Sequence, residues 1–86
     1  MKVITGTIES LELDEGLTYM RVQAREKSVT YISPTEPLLE RLGLLFDGAL
    51  EVDEETRTKT LIREKVLGER IGFRYDCNDK AIFRIH

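Results

Sequence analysis

The stretch ITGTIESLELDEGLTYMRVQA, residues 4–24, decides the fold. Ile4, Gly6 and Ile8 fall on one side of an extended chain, because successive side chains of a strand point to opposite faces. Leu11 and Leu13 continue the apolar series one residue out of phase, the shift that a β-bulge near Glu9-Ser10 produces. Asp14-Glu15-Gly16 then reads as a hairpin turn. From Leu17 to Ala24 the alternation resumes, with Met20, Val22 and Ala24 on one face and Leu17, Tyr19, Arg21 and Gln23 on the other.

Working outward, a turn at Arg25-Glu26-Lys27 leads into Ser28 to Ile32, rich in β-formers, which completes a three-stranded meander. At Ser33-Pro34-Thr35-Glu36 the pattern changes to a capping box, with Ser33 as N-cap, Pro34 at the first helical position and Glu36 at the third. Leu38, Leu39, Leu42, Leu45 and Phe46 make one helical stripe, and Gly48 suits the C′ position. Gly43 weakens this short helix by up to about 1 kcal/mol relative to Ala.

Residues 49–67 read as a second hairpin, with an acidic turn at Asp53-Glu54-Glu55. A helix from Asp53 to Leu67 competes, but Thr56, Thr58 and Thr60 are poor helix formers. The last hairpin joins Arg70–Asp76 to Lys80–His86 through Cys77-Asn78-Asp79, with Ile71, Phe73 and Tyr75 on one face and Ala81, Phe83 and Ile85 on its partner. The expectation is a single α+β domain over residues 1–86, mostly antiparallel β in the order β-β-β-α-β-β-β-β. This order resembles an OB-like or related small β-barrel, in which a helix bridges the third and fourth strands.

At 86 residues the chain is too short for a two-domain cleft, and with 41% of them apolar and 34% charged it has enough apolar residues to fold. A domain of this size buries only somewhat more than about 60% of its unfolded surface, so a homodimer contact is a natural supplement. Cys77 is the only cysteine, which excludes an intramolecular disulfide and suits a reducing compartment. Without an apolar leader or a stretch of roughly 20 apolar residues, the expected location is cytoplasmic, away from membranes.

The net charge of −3 disfavours a protein that holds duplex phosphates by electrostatics alone. Its distribution is uneven: residues 1–55 carry five basic and 12 acidic side chains, whereas residues 56–86 carry eight basic and four acidic.

Chemistry is sparsely provided. His86 is the only histidine and stands last in the sequence, a poor place for a nucleophile–base relay. Cys77 lies between Asp76 and Asp79, whose charges raise a thiol pKa. Asp47, Glu51, Asp53, Glu54 and Glu55 lack the spacing of a calcium loop, and the six glycines form no phosphate loop. No enzymatic activity, metal or cofactor is therefore expected.

Two surfaces are candidates for binding. Arg70, Arg74, Arg84 and His86 fall opposite the expected buried face of the last hairpin, where guanidiniums could grip an anion and Ile82 could centre a protein contact. Alternatively Tyr19, Arg21, Arg25, Lys27 and Tyr31 would form a stacking platform for single-stranded nucleic acid if Tyr31 shares the face of Tyr19. Otherwise Tyr31 joins Val29 in the core. The leading expectation is a non-enzymatic module that binds a protein partner or itself through sheet edges and the Arg-rich hairpin. The alternative is a single-stranded nucleic-acid binder.

Overall fold

The computed structural model describes residues 2–75 and 82–84. Its strands are β1 (Lys2–Asp14), β2 (Leu17–Gln23), β3 (Ser28–Pro34), β4 (Leu50–Val52), β5 (Lys59–Leu61), β6 (Arg70–Tyr75) and β7 (Ile82–Arg84), with helix α1 (Thr35–Leu45) between β3 and β4. The turn expected at Cys77-Asn78-Asp79 lies outside the described residues, as do Ile85 and His86.

A mostly antiparallel β-structure with one helix is what the alternation predicts. Five strands form one sheet in the order β3-β2-β1-β6-β7, and β4 and β5 make a separate two-stranded ribbon. Three hairpin-connected strands followed by β6, which returns beside β1, define a Greek key. The sheet curls into a half-barrel, and its outermost strands, β3 and β7, do not pair with each other among the described residues.

β1 is the central strand and serves two partners. Lys2 to Thr7 pairs with β6, Thr7 to Asp14 pairs with β2, and the register with β2 shifts between Ile8 and Ser10 at the expected bulge. Gly6 lies where these two ladders converge. A Cβ there would overlap the carbonyl oxygen of Gln23 and come 2.7 Å from Cγ1 of Val22, so only glycine lets β1 pass this close to the end of β2. The two-residue connection from β1 to β2 places Glu15 (φ 43°) and Gly16 (φ 85°) in the left-handed region, the type I′ geometry that matches strand twist.

The core fills the space between the concave face of the sheet and α1. Ile8, Met20, Val22, Ile71 and Phe73 come from the sheet and Leu38 and Leu42 from the helix, all at most 2% exposed. Leu39 and Phe46 are buried as well, and Leu45 packs against this cluster, so the predicted stripe faces inward.

The capping box does not form. Pairing with β2 continues to Pro34, which holds Ser33 in the ladder, and the Ser33 hydroxyl donates to the Pro34 carbonyl at 3.1 Å. The helix begins one residue later, at Thr35, tied instead to the first hairpin. The Thr35 amide donates to the Gly16 carbonyl at 2.8 Å, and the hydroxyls of Thr18 and Thr35 share a 2.8 Å hydrogen bond.

Residues 49–67 adopt the hairpin, not the helix. The Asp53 carboxylate accepts the amides of Glu55 (2.9 Å) and Thr56 (3.3 Å), turning the chain between β4 and β5. The Lys59 ammonium meets the Glu40 carboxylate at 3.0 Å and fastens the ribbon to α1. The chain then tightens into a 3₁₀ turn at Arg63–Lys65, which buries Val66 before β6.

A methyl group at Gly6 has nowhere to go, because the overlapping atom is backbone. Gly6→Ala is expected to cost about 3 kcal/mol or more, read as a lowered urea midpoint with an unchanged slope.

Candidate functional site: an open sheet edge

The predicted arginine surface divides between two faces. In the last hairpin Phe73 is opposite Ile82 and Ile71 opposite Arg84. This register places Ile82 in the core at 6% exposure, one residue out of phase with the expected pattern. Ile82 is therefore not an exposed interface centre. Arg70 and Arg74 lie on the outer face, opposite Thr7 and Val3 of β1. Arg84 lies at the rim of the inner face, where its guanidinium stacks 5.2 Å over the Phe46 ring, donates to the Leu45 carbonyl at 3.4 Å and stands 3.8 Å from the Glu69 carboxylate. It caps the C-terminal end of α1, whose last turn has no basic residue of its own. The three arginines therefore do not converge on one anion. His86 lies outside the described residues.

The stacking platform is divided in the same way. Tyr19 and Arg21 point outward from β2, around a small depression of about 70 Å³ shared with Ser10, Glu12 and Thr30. Tyr31 points inward. It is 5% exposed and meets Phe73 edge-on, with ring centroids 5.2 Å apart and planes at 66°. Arg25 and Lys27 sit at the far end of β2, in the turn to β3, beside a concavity lined by Val3, Thr5 and Val29.

The sheet edges remain. The described part of β7 is three residues long and carries Arg84, a short charged edge of the kind that resists further pairing. β3 is different: it is seven residues long and contains no charged residue, and its register with β2 has no bulge.

Hydrogen bonds at both ends of the β2–β3 ladder establish which backbone groups of β3 face outward. The Ala24 amide donates to the Lys27 carbonyl at 2.9 Å, and the Thr35 amide donates to the Gly16 carbonyl at 2.8 Å. Bonded and non-bonded pairs alternate along an antiparallel ladder. The bonded pairs are then Val22–Val29, Met20–Tyr31 and Thr18–Ser33, and the intervening residues Ser28, Thr30 and Ile32 turn their N–H and C=O groups away from β2. Pro34, which has no N–H, falls in the outward set, where it breaks no bond.

No strand covers this side of β3 among the described residues. The side chains of Ser28, Thr30 and Ile32 are exposed, Ile32 at 45%. The Ser28 hydroxyl is engaged locally, with Gln23 at 2.8 Å and Glu9 at 3.1 Å. The arrangement is a row of donors and acceptors at strand spacing, with no charge to repel an incoming strand. Of this edge strand the sequence pattern marks Tyr31 alone as a candidate, although the uncharged run Ser28–Pro34 stands plainly in it.

No family model matches the chain, and neither does any curated protein or solved structure.

Two substitutions test these placements. Ile82→Asp buries a carboxylate in the core and is expected to cost about 3 kcal/mol or more, so that it unfolds the protein before it reports on association. Arg84→Ala removes the helix-end contact and the ring stacking together. A loss of about 1–2 kcal/mol in chemical denaturation is expected, with Arg84→Lys recovering only part of it.

Proposed function

We propose that this protein is a non-enzymatic binding module that takes an extended strand, from a protein partner or from a second copy, onto the outer side of β3. The observation that carries this reading is the combination of length, neutrality and outward-facing backbone groups at Ser28, Thr30 and Ile32. In strand addition the main chain supplies affinity and the alternate side chains supply selectivity. The Greek-key sheet, with its helix after the third strand, suits an OB-related half-barrel, a partly open architecture that commonly presents binding surfaces. The arginines of the last hairpin are on β6 and β7, at the other end of the sheet order from β3, and are not part of this site.

Single-stranded nucleic acid is the second reading, supported by the adjacency of Tyr19 and Arg21 on the outer face of β2. It keeps one aromatic side chain of the two that a platform needs, since Tyr31 is used in the core. Its affinity would fall steeply with salt and be lost in Tyr19→Ala.

The deciding experiment follows the amide signals of Ser28, Thr30 and Ile32 by NMR, in the purified protein and in cell extract, for the native chain and for Thr30→Lys. Thr30 is exposed and its amide lies outside the β2 ladder, so this variant should fold normally, with a stability change within about 0.5 kcal/mol. Strand addition predicts slowed exchange at these three amides, abolished in Thr30→Lys. Exchange that stays fast under every condition, or binding indifferent to Thr30→Lys, overturns the proposal.

A further inference from the structure

Building on strand addition at β3, we infer that the occupant of this edge is β3 of a second copy, running antiparallel about a two-fold axis at Thr30. Such a contact is isologous, the commonest way for a small chain to dimerise.

The hydrogen-bond pattern selects the register. Only Ser28, Thr30 and Ile32 offer outward amides within β3, so every seam pair is doubly bonded only when these three face one another. With the axis at Thr30, Ser28 of one copy meets Ile32 of the other, Thr30 meets Thr30, and Ile32 meets Ser28. These three pairs can exchange about six hydrogen bonds, two for each bonded pair. An axis at Val29 leaves Ile32 without a partner. An axis at Tyr31 pairs Ser28 with Pro34, whose missing N–H leaves both of those end pairs singly bonded.

Charge supports the same choice. The exposed turn Arg25-Glu26-Lys27 just before β3 carries two positive charges and one negative, and Glu36 is exposed just beyond the end of β3. Antiparallel pairing about Thr30 brings the basic turn of each copy to the acidic first helical turn of the other, and the axis makes this happen twice. Within the seam no charged residue faces another. A Thr–Thr pair at the axis adds a favourable cross-strand contact.

A second copy also presents its strand already ordered by β2, whereas a disordered peptide must lose conformational freedom to dock. The seam is short, about 23 Å for seven residues, which suits a reversible dimer with a roughly micromolar Kd.

The test combines sedimentation velocity over a wide concentration range with disulfide trapping of Thr30→Cys in a Cys77→Ser background. The expected result is a monomer–dimer equilibrium that Thr30→Lys abolishes, with Thr30→Cys cross-linking to itself. Ser28→Cys and Ile32→Cys should cross-link when mixed and not when each is alone. Three outcomes overturn the inference: a monomer at all concentrations, a dimer that survives Thr30→Lys, or Ser28→Cys cross-linking to itself. The amide exchange described above separates its failure from that of strand addition. Protection at Ser28, Thr30 and Ile32 in extract from a chain that stays monomeric alone rejects the second copy and keeps strand addition, whereas fast exchange throughout rejects both.

Discussion

The close passage of β1 over the end of β2 at Gly6 is the constraint on which the rest of the structure depends. One strand must pair along its first half with β6 and along its second half with β2, and the sheet must bend sharply where the two ladders overlap. The bulge between Ile8 and Ser10 re-aims the side chains, so that Ile8 and Leu11 both enter the core. The missing side chain at Gly6 lets the Gln23 carbonyl approach. The resulting curvature wraps the concave face around the helix, and it is the reason a chain of 86 residues encloses a continuous core at all.

Local features were legible in the residues because they follow from burial on one face. The bulge, the turn at Asp14-Glu15-Gly16 and the helical stripe all appear where expected. Local pattern is ambiguous where two signals compete on nearly equal terms. In the last hairpin, apolar residues occupy both phases of the second arm, so alternation alone could not place Ile82, and the pairing with Phe73 resolves it. Tyr31 alternates with Thr30 and Ile32, all strand formers, and the Phe73 ring across the core determines which side it takes. At Ser33 a helix cap competed with a ladder position, and the ladder prevailed because β3 keeps pairing to its last residue.

Which strand stands at an edge is a different kind of fact. β3 is outermost because β6 comes back beside β1, a decision made some forty residues further along the chain. Nothing within Ser28–Pro34 encodes it. The helix end is likewise completed from afar: Arg84, 39 residues from Leu45, supplies the positive group that α1 lacks. Edges and caps of this sort depend on the assembled topology, so the residues that a linear pattern singles out for binding fall on two faces, and the outward groups of the neutral edge strand β3 are not among them.

The β4–β5 ribbon is joined to the rest by side chains, with Leu61 packed on the core and Lys59 paired with Glu40. Among the described residues its strands pair only with each other, and the loop from Asp53 to Thr58 closes on itself through the Asp53 carboxylate and backbone. Lengthening such a loop costs little closure entropy and disturbs no ladder of the main sheet. The exposed tip between Asp53 and Thr58 can therefore lengthen or change its residues while the core stays unchanged. This is where new specificity could be added to an otherwise conservative scaffold.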